Sequence, residues 1–400
     1  MMIKVVEIAD KIHKIKITDK DETDFHGTLF PVENGVSYGS YLILDEQVTL
    51  IDTFEMKFFD EVKPMLDKLL NGRPIDNIIV QHVEPDHSDS FQIFKQAFPE
   101  AKAYCSKLAV KEMQQNFFID VDYIPVSFPD FISTGEYTLR FFETPNVHWP
   151  DNMWTYLEEK KILFSNDGFG QLISKDILTD EEISVEELLA HSKEYYCNIV
   201  FSNNASVLRL LKRFTELQWD VDLVCPAHGI MIKKHLGALI QQYSDLANEV
   251  KEQKAVIVYE TIWGNTEDEA NALKADFEAM GITAKTYQLS KSRISEIITD
   301  VATAAYIAVG SGNQNNCMIP IVADFVERLR ALKALKSKVV VFGAYGWNQM
   351  PFKEIVRRLT EVHYNVYAKP LTINFKLNED KALEIESDLK EFLKTEAFLG

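Results

Sequence analysis

The chain has 400 residues, 46% hydrophobic and 26% charged, with a formal net charge of −19, the profile of a globular protein in water that is too long for one ordinary core. That charge excludes nucleic acid as an expected partner, because phosphate binding needs a concentrated basic surface. No run approaches the roughly 18 apolar residues of a membrane span, and the start, Met1-Met2-Ile3-Lys4, lacks the layout of a signal peptide, so a cytoplasmic protein is expected. Cys105, Cys197, Cys225 and Cys317 are too scattered for a zinc knuckle or a redox dithiol and are expected to be free core thiols.

In chain order, residues 1–250 are expected to form a mixed α/β domain and residues 251–400 a second one. The first opens on short β-rich segments at 40–44, 48–51 and 77–80, punctuated by amphipathic helical stretches. Directly after 77–80 comes Gln81-His82-Val83-Glu84-Pro85-Asp86-His87-Ser88-Asp89. Residues two apart in an extended segment share a side, so His82, Glu84 and Asp86 are expected to converge, with His87 reaching in as the chain turns. Phe91, Phe94 and Phe98 then have helical spacing, which places the cluster in a strand-to-helix loop, where functional groups collect.

His148, Asp167 and His228 repeat that placement after β-rich segments at 137–143, 161–164 and 221–224. The seven groups, four imidazoles and three carboxylates, suffice for two metal ions with one carboxylate bridging. Hard oxygens beside imidazole suit iron or manganese, with zinc physically possible. His13, His191, His235 and His363 lie outside the pattern and read as surface or core residues. His26 stands as the candidate catalytic donor beside the metals, and Tyr195 and Tyr196 as weaker ones.

A helical pattern over 233–254, carried by Leu236, Leu239, Ile240, Tyr243, Leu246 and Val250, closes the first domain. Then strand 255–259, helix 266–280, strands 283–287 and 306–309, a helix after Pro320 and strand 338–342 alternate. Such alternation implies a parallel, doubly wound sheet with its ligand at the carboxyl ends of the strands. The loop Thr261-Ile262-Trp263-Gly264-Asn265-Thr266 offers hydroxyls, a glycine and backbone N–H groups at a helix N-terminus, a neutral cradle for a phosphate dianion. The absence of Gly-Lys-Ser/Thr argues against a nucleoside triphosphatase. Gly310-Ser311-Gly312-Asn313-Gln314-Asn315-Asn316 and Gly343-Ala344-Tyr345-Gly346-Trp347-Asn348 follow two further strands, placed to bond the edge of a planar ring and cover its face.

The run at 82–87 is similar to the His-x-His-x-Asp-His of the metallo-β-lactamase fold, with Glu84 in place of the second histidine, and in this it resembles the flavodiiron proteins. Asp24-Phe25-His26-Gly27, Ser40-Tyr41-Leu42-Ile43, His148-Trp149-Pro150-Asp151 and Phe164-Ser165-Asn166-Asp167 agree, and the 261–266 loop resembles the FMN phosphate loop of flavodoxins. The resemblance covers essentially the whole chain. It implies an N-terminal metallo-β-lactamase-like αββα domain and a C-terminal flavodoxin-like doubly wound sheet. Two iron ions are implied, one on His82, Glu84 and His148, the other on Asp86, His87 and His228, with Asp167 bridging, together with FMN on the three loops.

The implied activity is reduction of dioxygen to water or of nitric oxide to nitrous oxide, in a head-to-tail homodimer or a dimer of dimers. No four-cysteine rubredoxin module occurs before Gly400, so an external donor is expected, a rubredoxin or, second, a reduced deazaflavin. Two departures stand out: Gly312-Asn313 where many relatives have Pro-Thr, and Asn348-Gln349-Met350-Pro351 in place of a run of small residues. The competing expectation is a di-zinc hydrolase of the metallo-β-lactamase type with a regulatory second domain. Glu84 and the flavodoxin-like half count against it. An electron carrier with a scaffold first domain is disfavoured by the complete ligand set.

Overall fold

The computed structural model describes every residue except 26–29, 33–34, 118–120, 334, 397 and 400. His26 therefore lies outside the described residues. The chain forms two compact units, Met1–Ser244 and Asp245–Gly400. No helix among the described residues is long and apolar enough to cross a membrane.

The first unit is built on two sheets. Seven strands run in the order Met2–Ala9, Ile12–Asp19, Val36–Leu44, Val48–Ile51, Asn77–Val80, Lys102–Ser106 and Tyr123–Val126. The first four pair antiparallel and the last four parallel. The switch follows from the connections, because helices Phe59–Leu70, Phe91–Ala97 and Lys107–Phe117 intervene where the strands become parallel. Helix Phe59–Leu70 buries Val62, Leu66 and Leu70, one residue per turn, and Asn71 ends it in the left-handed conformation, its N–H bonded to the Asp67 carbonyl. Val48–Ile51 and Asn77–Val80 are buried throughout, as strands covered on both faces must be.

The second sheet orders Phe131–Ser133, Thr138–Glu143, Met153–Leu157, Ile162–Asn166 and Leu223–Pro226. Ile12, Tyr41, Ile43, Ile51 and Ile79 of the first sheet share a core with Leu139, Phe141, Met153, Leu157 and Phe164 of the second. Two inner faces thus bury one another.

In the second unit Thr283–Gln288, Glu252–Glu260, Ala304–Ser311 and Lys338–Tyr345 pair in parallel, and Asn365–Val366 and Leu371–Asn374 extend the sheet from the last of these. Helices Asn265–Ala279, Ile294–Thr303, Pro320–Ala331, Met350–Thr360 and Glu379–Lys394 make the crossovers and the final cover. The expected helix over 233–254 is corrected. It runs only from Leu236 to Ala247, because Glu249 turns left-handed at φ 53° and Glu252 enters the sheet opposite Ala304. Strand pairing there overrides the helical spacing of Val250. Cys105, Cys197 and Cys225 are buried as expected, whereas Cys317 is exposed, in the second strand of the small hairpin Asn313–Gln314/Cys317–Met318.

Gly343 lies in strand Lys338–Tyr345 at φ 147°, and a Cβ there would stand 2.0 Å from the Ser311 carbonyl oxygen and 2.7 Å from the Phe352 ring. Backbone cannot yield as a flexible side chain does. Gly343→Ala is expected to destabilise the second unit by about 3 kcal/mol, read as a lower unfolding midpoint in a denaturant titration; an unshifted midpoint would contradict the assigned packing.

Candidate functional site

Four residues separate strand Asn77–Val80 from Pro85, which opens the short helix Pro85–Ser88 with Glu84 at its N-cap. A proline ring has φ preset for a first helical position and lacks only an N–H that would be unpaired there. The expectation of an extended run through Asp86 is therefore corrected: Asp86 and His87 are presented by a helical turn. Ser88 Oγ donates to the Val83 carbonyl at 2.6 Å, and the His87 carbonyl accepts from Thr53 N–H at 2.7 Å and Thr53 Oγ1 at 3.1 Å. These bonds fix the turn against the end of the neighbouring strand Val48–Ile51.

The other three groups arrive from the second sheet. His148 follows strand Thr138–Glu143 in a turn where its carbonyl accepts from Asn203 Nδ2 at 3.1 Å. Asp167 follows Ile162–Asn166, whose last residue turns left-handed at φ 48°. His228 follows Leu223–Pro226 and bridges to Tyr38.

All seven side chains meet. Glu84 Oε2 lies 3.1 Å from His82 Nε2 and 3.1 Å from His148 Nε2. Asp167 Oδ2 faces the same pair, 3.1 Å from His148 Nε2 and 3.5 Å from His82 Nε2. Its other oxygen, Oδ1, faces the second group, 3.1 Å from His87 Nε2 and 3.3 Å from His228 Nε2. Asp86 completes that group at 3.3 Å from His87 Nε2 and 3.2 Å from His228 Nε2. One carboxylate thus spans two clusters, His82, Glu84 and His148 on one side and Asp86, His87 and His228 on the other.

Outer bonds settle which imidazole nitrogen points inward. His82 Nδ1 lies 3.0 Å from Asp151 Oδ2, and His228 Nδ1 lies 3.2 Å from the Ser37 carbonyl. Both partners accept, so each Nδ1 carries a proton and each Nε2 is the nitrogen turned toward the carboxylates. Asp151 also accepts from Val83 N–H at 2.7 Å. Asp52 accepts from Gln81 N–H at 2.7 Å, Gln81 Nε2 at 2.9 Å and Asn166 Nδ2 at 3.0 Å. It thereby joins the strand ends that carry His82 and Asp167. Of these supporting residues, Asp52 and Ser37 escape sequence reasoning, since a single Asp or Ser carries no spacing signal. Asp151 stands in a flanking motif but with no role legible there. Tyr195 is buried with its ring 5.8 Å from that of His228, and the Tyr196 hydroxyl donates to Asn204 Oδ1 at 2.7 Å.

The charge balance is uneven. Burial disfavours an imidazolium at His228, yet Asp167 and Asp86 outweigh it and push it up to about 10. Burial acts the same way at His148, where Asp167 and Glu84 push it up to about 8. Burial favours a neutral acid at Asp167, yet His87, His148 and His228 hold its carboxyl well below the usual range. Even so, both oxygens of Asp86, both of Asp167 and His87 Nε2 are buried without a hydrogen bond of acceptable geometry.

In the second unit, Thr261, Ile262, Trp263, Asn265, Thr266, Gly312, Asn313, Ala344, Tyr345, Gly346 and Trp347 line one cleft at the carboxyl ends of the strands. Phe375, which sequence reasoning missed, lines it too, from the turn after strand Leu371–Asn374. Gly264 shapes the loop instead, at φ 85° as the N-cap of helix Asn265–Ala279, its N–H bonded to Thr261 Oγ1 at 3.0 Å. Ser311 is buried, its Oγ accepting from Ile319 N–H at 3.0 Å. Gln314, Asn315 and Asn316 are not among the lining residues. Asn315 and Asn316, at φ 50° and 67°, form the tight turn of the hairpin, where two left-handed residues are needed. The two departures in these loops meet: Asn313 Nδ2 donates to the Asn348 carbonyl at 2.8 Å and to Asn348 Oδ1 at 3.0 Å, while Asn348 Nδ2 bonds Asn316 Oδ1. They act as one tie between the loops.

Comparison with known proteins accords with both halves. Residues 36–229 match the model of the ODP family beta lactamases and residues 257–392 that of flavodoxin. A nitric oxide reductase of Moorella thermoacetica is 30% identical over 370 residues, covering 92% of this chain and 93% of that protein. The solved structure of the rubredoxin oxygen:oxidoreductase from Desulfovibrio gigas gives a TM-score of 0.92 at 27% identity, covering 98% of this chain and all of that one. The flavodiiron protein of Giardia intestinalis gives 0.90 at 26% identity, covering 98% and 97%. The chain, with a beta-lactamase-like first half and a flavodoxin second half, belongs to the flavodiiron protein family.

Proposed function

We propose that this oxidoreductase reduces dioxygen to water or nitric oxide to nitrous oxide at two iron ions, with FMN in the second unit as the immediate source of electrons. The observation that carries the reading is the Asp167 carboxylate, one oxygen toward each cluster. The donor atoms fit a pair of cations. Two ligand atoms each about 2.1 Å from one ion lie about 3.0 Å apart at a right angle and about 3.4 Å apart at the tetrahedral angle. The imidazole-to-carboxylate separations within each cluster run from 3.1 to 3.5 Å. Cations would also satisfy the buried oxygens of Asp86 and Asp167 that lack hydrogen bonds. His82, Glu84 and His148 would hold one ion, Asp86, His87 and His228 the other, with Asp167 between them.

Two ferrous ions and a reduced flavin carry four electrons, which dioxygen needs to become two waters, and joining two nitric oxides takes two of them. The residues supply the rest. Glu84, Asp86 and Asp167 set three negative charges against the cations, which favours the oxidised state of hard ions. Asp151 and the Ser37 carbonyl hold His82 and His228 in the tautomer that leaves Nε2 free to bind. In the second unit, the N-terminus of helix Asn265–Ala279 opens into the cleft to receive the FMN phosphate, and Trp263, Tyr345 and Trp347 supply aromatic walls for the ring. His26 remains the candidate proton donor, an external rubredoxin or deazaflavin the donor of electrons, and a head-to-tail homodimer the working assembly.

His87→Asn is expected to lower gas reduction by about 100-fold or more while FMN stays bound, measured as dioxygen and nitric oxide uptake by chemically reduced protein. Unchanged uptake would make the first unit a scaffold, and zinc with phosphodiester cleavage would make it a hydrolase. A second expectation follows from the proton balance. At pH 7 the metal-free protein holds protons on His228 and His148, which the neighbouring carboxylates push up to about 10 and about 8. Each must leave before Nε2 can bind a cation, so metal affinity falls as pH falls. Ferrous binding at pH 7 should release about two protons or more per chain, read with an indicator dye; no release would contradict the assignment.

A further inference from the structure

Glu22, Asp24, Glu55, Glu84 and Asp86 line one cleft in the first unit, with Phe25 and Tyr38 as its aromatic walls. Side-chain exposure falls from 27% and 24% at Glu55 and Glu22 to 14% and 11% at Glu84 and Asp86. The acids therefore descend from solvent toward the two clusters. At the bottom the cleft meets both, since Glu84 belongs to the first and Asp86 to the second. Asp86, with 9% of its surface exposed, brings two buried oxygens that lack a hydrogen bond. At the mouth, Lys57 lies 2.7 Å from Glu22, 3.2 Å from Glu55 and 3.8 Å from Asp19. One ammonium against Asp19, Glu22 and Glu55 leaves the mouth of the passage negative.

We propose that this acidic passage is the route by which divalent cations reach both metal positions, an inference that rests on the two-metal reading above. Charges of one sign between low-dielectric walls focus the field and raise the local concentration of counter-ions. Successive carboxylates also offer a hydrated cation the hard oxygen ligands with which it can exchange water. Dioxygen and nitric oxide carry no charge, so the same groups do nothing to draw them in.

The test is anaerobic mixing of ferrous ion with the full-length, FMN-loaded, metal-free protein, followed in stopped flow. The variant Glu22→Gln/Asp24→Asn/Glu55→Gln should load about tenfold or more slowly at low ionic strength, lose most of the salt dependence and still end with two ions per chain. Lys57→Met, which removes the ammonium at the mouth, should load faster than the parent. Glu379→Gln/Asp380→Asn/Glu384→Gln removes as much charge from exposed positions on the second unit and should load at the parental rate. The proposal is overturned if the first variant loads as fast as the parent, if the remote variant slows equally, or if Lys57→Met fails to accelerate. Failure of the parent itself to bind two ferrous ions would instead overturn the metal-centre reading, and the passage with it.

Discussion

Three carboxylates and four imidazoles crowd into one dry region of the first unit, and the free energy of that crowding organises much around it. Leaving a single ionised carboxylate buried without a partner costs several kcal/mol, and here Asp86 and Asp167 both have oxygens without a hydrogen bond. Without cations the cluster must hold protons, as the raised His228 and His148 show. Cations would displace those protons and give the carboxylates their counter-charge. The scaffold contributes geometry: Asp52 ties Gln81 to Asn166, so the strand ends bearing His82 and Asp167 keep their spacing.

Fold and chemistry meet at strand ends. In the first unit the seven groups follow the carboxyl ends of Asn77–Val80, Thr138–Glu143, Ile162–Asn166 and Leu223–Pro226, where two sheets share a core. The second unit uses the same logic in a parallel sheet, whose loops after Glu252–Glu260, Ala304–Ser311 and Lys338–Tyr345 open on one cleft. Rigid strands fix the positions and loops supply the groups, which suits a reaction whose cofactors need little movement.

The sequence made the first-unit cluster legible because seven candidate ligands at strand ends form a pattern that packing alone does not require. It misjudged local geometry where a single residue decided it. Pro85 converts an expected extended run into a helical turn, and Glu249 ends a helix whose apolar spacing continues to Val250. Asp52, Ser37 and Phe375 were invisible because their roles arise from contacts distant in the chain. In the second unit, strand and helix alternation was plain. Asn315 and Asn316, however, form the hairpin turn, a use the sequence leaves indistinguishable from ligand binding because asparagine suits both. The departures at Asn313 and Asn348 looked like two independent changes and are one bonded pair.

The central claim is that Asp167 joins two metal ions through opposite oxygens. It is tested most directly by anaerobic ferrous titration of the metal-free chain and of Asp167→Asn, followed by magnetic spectroscopy of the oxidised proteins. The account expects two ions per parental chain, magnetically coupled, and weakened binding with loss of coupling when Asp167 is replaced. A parental chain that binds a single ion, or a variant that keeps two coupled ions, would contradict it.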